Sequence, residues 1–319
     1  MITAVDVYST AVLFSSNCIY LCIRNKYKFL LKEGFMDISK FRFGIEIELY
    51  NIKRSQVANC VKSIIGKQCA ITEYRSRRGL CYKVADGKNI WYCKCDASLH
   101  NQLNAKKPYS QENTCELVSP ILTISDLDTL ISIVKEIVKA GGKCDYDHGC
   151  VVHVHVDDSL FSLHELINVL TYHYVLYPDL AKKFKFTKDQ IDDRIKNLSN
   201  KFIDYLQINN ITELRQIETA WYKYLSTEQK TKPYNKSRYS VVNLHSLFYN
   251  KTGVEFRYFK IDKLTTKDIR SIIIFLANII LFTSKPTTFF YRNLEDIITK
   301  FDISEEDRND IYQLLGIVK

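Results

Sequence analysis

RFGIEIELY, residues 42–50, is the stretch of this sequence that decides its fold. Apolar and polar side chains alternate along it, as they do in a β-strand that packs one face against a core. The aliphatic side chains share one face, and Glu46 and Glu48 share the other. The stretch therefore predicts a strand whose polar face presents two carboxylates.

Three later stretches repeat this arrangement: ELVSPIL (116–122), CVVHVHV (150–156) and GVEFRYF (253–259). Their polar faces carry Glu116, then His153 with His155, then Glu255 with Arg257. Each pair alone is more typical of a solvated strand face or of structural histidines. Together they indicate a site for Mg²⁺ or Mn²⁺ and phosphate, because these ions take oxygen and imidazole ligands and arginine suits phosphate.

The remaining pattern predicts an α+β fold. Residues 80–91 predict a hairpin that turns at Asp86-Gly87, and residues 238–248 predict a further strand. Helical periodicity covers residues 55–66, 125–140, most of 162–225 and two short C-terminal segments. Residues 266–282 are apolar nearly all round, too short to span a membrane and interrupted by Arg270, so they predict a buried helix.

Composition narrows the class of protein. The chain has 319 residues, of which 46% are hydrophobic, and a formal net charge of +9, which suits phosphate-bearing ligands. The basic residues are dispersed, so no nucleic-acid binding is predicted. No membrane association is predicted either, since the apolar residues 10–23 are too few and too polar to cross a bilayer. Ten cysteines without a CxxC pair favour reduced thiols and a cytoplasmic location.

We expect three parts along the chain. Residues 1–36 are expected to be a dispensable N-terminal extension, because everything that looks enzymatic follows Met36. Residues 37–285 are expected to form the catalytic domain, with a helical insertion at about 160–232. Residues 286–319 are expected to form helices packed on the same domain.

Six segments resemble those of the amidoligase family in order and approximate spacing: FGIEIE (43–48), WYCKCDASL (91–99), ELVSP (116–120), CVVHVHVD (150–157), RYSVVNL (238–244) and GVEFRYF (253–259). That family is similar to glutamine synthetase and glutamate-cysteine ligase. The resemblance, which covers about residues 40–285, implies a mainly antiparallel sheet curved into a funnel with helices on its outer face. It also implies that ATP and two or more Mg²⁺ ions bind on the concave side.

Carried onto this sequence, the resemblance implies a role for each matching residue. The implied metal ligands are Glu46, Glu48, Glu116, His153 and Glu255. Arg257 is implied to hold the transferred phosphoryl group. The implied cofactor contacts also include Lys94, His155, Arg238 and Asn243, with the last two supporting either the nucleotide or the acceptor. Asp96 and Ser98 match the element that receives the amine. Ala97 and Val151 stand where the family usually has glycine, so both backbone turns are expected to differ here.

The implied activity is ATP- and Mg²⁺-dependent joining of a carboxylate to an amine through an acyl phosphate, the carboxylate belonging to an amino acid, a glutamyl compound or a peptide. Two alternatives stay open. A metal-dependent hydrolase or nuclease would use the same cluster on water and cleave without ATP. A catalytically inactive relative would keep the fold as a ligand-binding protein.

Overall fold

Strand β1 (Arg42–Tyr50) has the length that its alternation predicts. Its apolar side chains are fully buried, whereas Glu46 and Glu48 stay partly exposed on the opposite face. The computed structural model describes residues 38–87, 89–96, 99, 111–226, 228, 231–232, 234–285 and 293–317. Within those residues β1 lies inside a nine-stranded sheet.

The other strands are β2 (Ala70–Ser76), β3 (Gly79–Ala85), β4 (Ile90–Lys94), β5 (Thr114–Val118), β6 (Leu122–Thr123), β7 (Val152–Val156), β8 (Val242–Asn243) and β9 (Val254–Phe259). They follow the order β2-β3-β4-β5-β1-β7-β9-β8, and β6 pairs with the start of β1. Every pair of these strands is antiparallel. The prediction of an α+β fold with a mainly antiparallel sheet is confirmed, and the funnel shape stays a prediction.

The helices are α1 (Arg54–Ile65), α2 (Leu127–Lys139), α3 (Leu163–Lys183), α4 (Lys188–Asp193), α5 (Asn200–Ile208), α6 (Leu214–Leu225), α7 (Thr266–Thr283), α8 (Leu294–Ile298) and α9 (Glu305–Leu314). Helix α1 packs along β2 to β5, and α2 packs on α1 and α7. Helix α3 reaches the sheet through His173, whose ring centroid lies 5.2 Å from that of Phe256 on β9. Helices therefore cover the apolar face of the sheet and leave the carboxylates on the other face.

Helix α7 is buried as its composition predicts: twelve of its residues, among them Ile272, Phe275 and Ile279, are buried. Helix α9 packs on α7, and α8 packs on α3 and α7. None of the helices in the described part of the chain has both the length and the apolarity that a membrane crossing requires.

One strand prediction is wrong. Of residues 238–248 only Val242 and Asn243 form a strand, between a 3₁₀ turn at Lys236–Tyr239 and a π-helical turn at Ser246–Asn250. Asparagine side chains explain the difference: Asn235 accepts a hydrogen bond from the Ser237 N–H, and Asn243 accepts one from the His245 N–H at 2.8 Å. Such local bonds offer the backbone an alternative to a strand ladder.

Two further differences concern strand positions. Strand β2 was not predicted, and it pairs with β3 as a hairpin at the edge of the sheet. The strand predicted at 116–122 begins two residues earlier and ends before Pro120, which has no N–H to continue the ladder. The predicted N-terminal extension, residues 1–36, lies outside the described residues.

Candidate active site

The register of the sheet brings the predicted residues together on its polar face. Glu46 on β1 lies opposite His153 on β7, and Glu48 lies opposite Glu116 on β5. His155 on β7 lies opposite Glu255 on β9. Because neighbouring strands are about 5 Å apart, residues that are 70 to 210 positions apart in the chain share one site.

Three of these side chains approach each other closely enough to share an ion. The ligand atoms of Glu46, His155 and Glu255 all lie within 4.8 Å of one another. His155 Nε2 lies 3.6 Å from Glu46 Oε1, and His153 Nδ1 lies 3.4 Å from Glu255 Oε1. His155, expected among the cofactor contacts, therefore belongs to this compact group, and His153 lies beside it.

Arg257 contacts the same group from β9, beside a bulge in that strand. Val152 pairs with Phe259 and Val154 with Phe256, so Arg257 and Tyr258 together face the single residue between them on β7. The Arg257 guanidinium donates to Glu255 through Nη1. Its Nε is buried and has no hydrogen-bond partner among the described residues.

Asn243 lies behind Glu255. Its Nδ2 donates to Glu255 Oε2, and its Oδ1 accepts from the backbone of the following turn, so both ends of the amide are occupied. The side chain is almost fully buried. This placement fits a residue that orients Glu255.

Glu48 and Glu116 form a second acidic pair beside the first group. The Val151 N–H donates to Glu48 Oε2 at 3.1 Å, and the Val151 carbonyl accepts from the Glu48 N–H. Val151, where the resemblance led us to expect a glycine in the family, does not have a positive φ. Lys94 on β4 lies directly opposite Glu116.

The carboxylates differ in charge. Burial opposes ionisation of Glu46 and Glu255, but His155 and His153 lower the pKa of Glu46 well below its usual value, and Arg257 above all lowers the pKa of Glu255 to about 2. Burial and the nearby Glu46 charge raise the pKa of Glu116 to about 8. The site therefore holds more carboxylates than its own cations can neutralise.

Burial and neighbouring charges also shift the pKa values of Glu48 and the two histidines. Burial, Asp96 and Glu116 raise the pKa of Glu48 well above its usual value. Burial and Arg257 lower the pKa of His153. Burial also disfavours a charge on His155, yet the Glu46 carboxylate raises its pKa to about 9.

Two cavities open on either side of this group. The larger, of about 430 Å³, reaches Glu46, Glu48, Asp96, Glu116, His153, Arg238 and Arg257. The smaller, of about 280 Å³, is lined by Glu46 and His155 together with Ile121, Lys251 and Gly253. Glu46 lines both cavities, so it stands between two places where ligands can approach the same ion site.

The larger cavity also contains residues that the sequence did not indicate. Gln190 belongs to α4, Arg194 directly follows that helix, and Tyr146, Tyr234 and Tyr239 come from turns. The sequence predicted a helical insertion at about 160–232 without indicating which of its side chains reach the site, and α4 contributes Gln190. Helical periodicity carries no signal for which loop-end side chains reach a distant cavity. Ser98 and Ala97 lie outside the described residues.

Comparison with known proteins identifies the family. The family model described as "Putative amidoligase enzyme" matches residues 39–280, which include every strand of the sheet. The chain belongs to this amidoligase family. Its members are described as enzymes, so a ligase activity is the coarse function that membership supports. A comparison with curated protein sequences finds no match. The match to the family model confirms the resemblance that was predicted from the sequence.

Proposed function

We propose that this amidoligase is an ATP- and Mg²⁺-dependent carboxylate-amine ligase. The observation that carries the proposal is the group of Glu46, His155 and Glu255, whose ligand atoms lie within 4.8 Å of one another beside the buried Arg257. Family membership supplies the ligase chemistry. With divalent cations bound, this site and Arg257 would supply the anchored positive charge that phosphoryl transfer requires around the phosphates.

The residues fit a divalent cation. Carboxylate oxygens with an imidazole nitrogen are ligands that Mg²⁺ and Mn²⁺ accept. Burial and Glu46 raise the pKa of Glu116 to about 8, and a cation bound nearby would favour its ionised, metal-binding form. Glu46, His155 and Glu255 would hold one ion, with Glu48, Glu116 and His153 available to others. Bound Mg²⁺ would neutralise charge on the ATP phosphates.

Arg257 is suited to the phosphoryl group. Its guanidinium is fixed by Glu255 through Nη1, and its Nε donor is unused among the described residues. A planar guanidinium can offer two parallel N–H donors to phosphate oxygens. In the proposed reaction a substrate carboxylate oxygen takes the γ-phosphoryl group of ATP, and ADP leaves.

Asp96 is suited to the amine. It lines the larger cavity with Glu48 and Glu116, and its carboxylate lies 3.8 Å from Arg78 Nη1. In the second half of the reaction the amine nitrogen attacks the acyl carbon, inorganic phosphate leaves, and Asp96 accepts the proton released from nitrogen.

We also propose that the protein is located in the cytoplasm. The proposed use of ATP and the free thiols of the eight described cysteines support this location.

The test is ADP release from ATP and Mg²⁺ across a panel of carboxylates with and without amines. We expect release that depends on both substrates and disappears in Glu255→Ala. Glu73→Ala serves as the matched control, because Glu73 is an exposed carboxylate on β2 of the same sheet. Amine-independent cleavage without ATP would show a hydrolase instead, and absence of both Mg²⁺ and nucleotide binding by calorimetry would show an inactive relative.

A further inference from the structure

Arg238 lies in the wall of the larger cavity, and none of the residues that the structure describes forms an ion pair with it. Its guanidinium carbon lies 5.5 Å from the ring centroid of Tyr234 and 5.8 Å from that of Tyr239. Stacking on aromatic rings fixes a guanidinium but leaves its N–H donors unused. Arg238 is therefore prepared to bind an anion that enters the cavity.

The helical insertion adds to the same wall. The Lys196 N–H donates to the Tyr239 carbonyl at 2.8 Å, and the Val241 N–H donates to the Lys196 carbonyl at 2.7 Å. These two bonds tie the residues after α4 to the segment that carries Arg238. They bring Arg194 and Gln190 to the cavity, where Gln190 is 3% exposed and its Nε2 has no partner among the described residues. A buried donor of this kind favours an acceptor supplied by a ligand.

Acidic side chains also line the larger cavity. They belong to Asp96, Glu48 and Glu116. Arg78 links Asp96 to the segment that carries Arg238. Its Nη1 lies 3.8 Å from the Asp96 carboxylate, and its guanidinium also donates to the hydroxyl of Tyr234. Arg238 is stacked on the ring of the same tyrosine. Asp96 and Arg238 therefore line one cavity and are connected through Arg78 and Tyr234.

We propose that the larger cavity binds the amine substrate as a free amino acid, with its ammonium toward Asp96 and its carboxylate on Arg238. This inference rests on the proposed ligase function. A simple amine or a diamine would leave the Arg238 guanidinium without a partner, and a nucleotide triphosphate would face the Asp96 carboxylate. A zwitterion can pair with Asp96 and with Arg238 at the same time, because it carries one charge of each sign a few bonds apart.

Calorimetry in the presence of Mg²⁺, with and without ADP, tests this directly. The probes are matched pairs that differ only in the carboxylate: L-lysine with cadaverine, L-serine with ethanolamine, and L-histidine with histamine. We expect at least one amino acid to bind at least about tenfold more tightly than its amine, since a charge-assisted bond to a guanidinium is lost. Arg238→Gln is expected to abolish that difference, and Arg238→Lys to restore part of it.

Arg215→Gln is the matched control, because Arg215 is an exposed arginine on α6 and its loss changes the net charge equally. It should keep the discrimination, and ADP binding should be unchanged in every variant. Equal binding of amino acids and amines, no binding of any probe, or a loss of ADP affinity in Arg238→Gln would overturn the inference. Failure of the ligase function is separable: ATP turnover would be absent with every substrate pair while amino-acid discrimination persisted.

Discussion

Strand β9 separates a fully buried histidine from a partly buried one, and their pKa values shift in opposite directions. His173 lies on the helix-covered side against Phe256 and Tyr258, and burial lowers its pKa to about 4. His155 lies on the carboxylate side, where burial acts in the same direction but Glu46 raises the pKa to about 9. Burial alone therefore does not set the charge of an imidazole in this protein, and the presence of a carboxylate partner does.

The same contrast holds for the two faces of the whole sheet. The apolar face contributes to stability through area removed from water. The polar face concentrates carboxylates, and burial with like charges nearby raises the pKa values of Glu48 and Glu116. In the proposed function this second face binds ions and substrates, and its crowded carboxylates oppose folding without them. Substitutions on the two faces should therefore have different consequences.

The largest effect on stability is expected from the apolar face of β9. Phe256→Ala should lower the free energy of unfolding by about 3–5 kcal/mol, because Phe256 is fully buried and its loss leaves a cavity beside His173. Urea unfolding followed by circular dichroism measures it. Ile208→Ala is the control: Ile208 is 77% exposed, so its change should stay within about 0.5 kcal/mol. A comparable loss of unfolding free energy in both variants would contradict the conclusion that the apolar face of the sheet stabilises the fold.

The next effect is expected on activity rather than stability. Glu46→Gln should reduce ADP release by about 100-fold or more, equivalent to about 2.7 kcal/mol, because Glu46 is central to the ion group. Its free energy of unfolding should change by only about 1 kcal/mol, since lost attraction to His155 is offset by reduced repulsion with Glu116.

The control for that substitution is Glu73→Gln, which makes the same chemical change on an exposed strand of the same sheet. It should leave both ADP release and stability close to those of the unmodified protein. If Glu46→Gln retained activity, the ion group would have no catalytic importance. If it unfolded the protein, the polar face would contribute to folding in the way the apolar face does.

Much of this contrast could be predicted from the sequence, because period-two alternation is a local property. Residues 42–50 indicate which side chains share a face, and the structure confirms that division. The fold class follows for the same reason. Strand order and register depend on contacts between distant segments, so the pairing of Glu46 with His153 could not be read from alternation.

The rest of the site could not be predicted because it depends on backbone irregularities and on turns. Alternation in GVEFRYF places Arg257 on the face of Glu255, but it gives no sign of the bulge at Arg257 and Tyr258. The cavity wall formed by Gln190 and Arg194 depends on how the helical insertion folds back toward Tyr239. Functional side chains on such connections are positioned by tertiary contacts.

A pH-dependent effect follows from Glu116 on the polar face. Its folded-state pKa is raised to about 8 by burial and Glu46, above the usual carboxyl value, so the protonated form stabilises the fold. The contribution of Glu116 to the free energy of unfolding is therefore fully present at low pH and is lost as the pH rises to about 8. Without metal, raising the pH from 5 to 8 should therefore cost about 3–4 kcal/mol more in the unmodified protein than in Glu116→Gln.

Adding Mg²⁺ in the same experiment tests whether Glu116 takes part in binding the ion. If Glu116 and its neighbours bind Mg²⁺, the ion should restore stability at pH 8 to the unmodified protein and restore less to Glu116→Gln. Thermal unfolding at matched pH with Mg²⁺ or with EDTA measures both differences. Equal pH dependence of the two proteins without metal would mean that Glu116 ionises at its usual pH, and that the polar face carries no excess charge at this position.

The smallest of these effects belongs to His173, the histidine of the apolar face. Its folded-state pKa is lowered to about 4 by burial, whereas an unfolded histidine titrates near 6.5. Below pH 6.5 the unfolded chain takes up a proton that the folded protein excludes, so stability falls until the pH reaches about 4. Between pH 7 and pH 5 this should cost about 2 kcal/mol. His173→Phe keeps an aromatic ring against Phe256 and should remove that part of the pH dependence. Denaturant unfolding at both pH values gives the comparison, and an unchanged slope in the variant would show that His173 is protonated in the fold, as its counterpart on the polar face is expected to be.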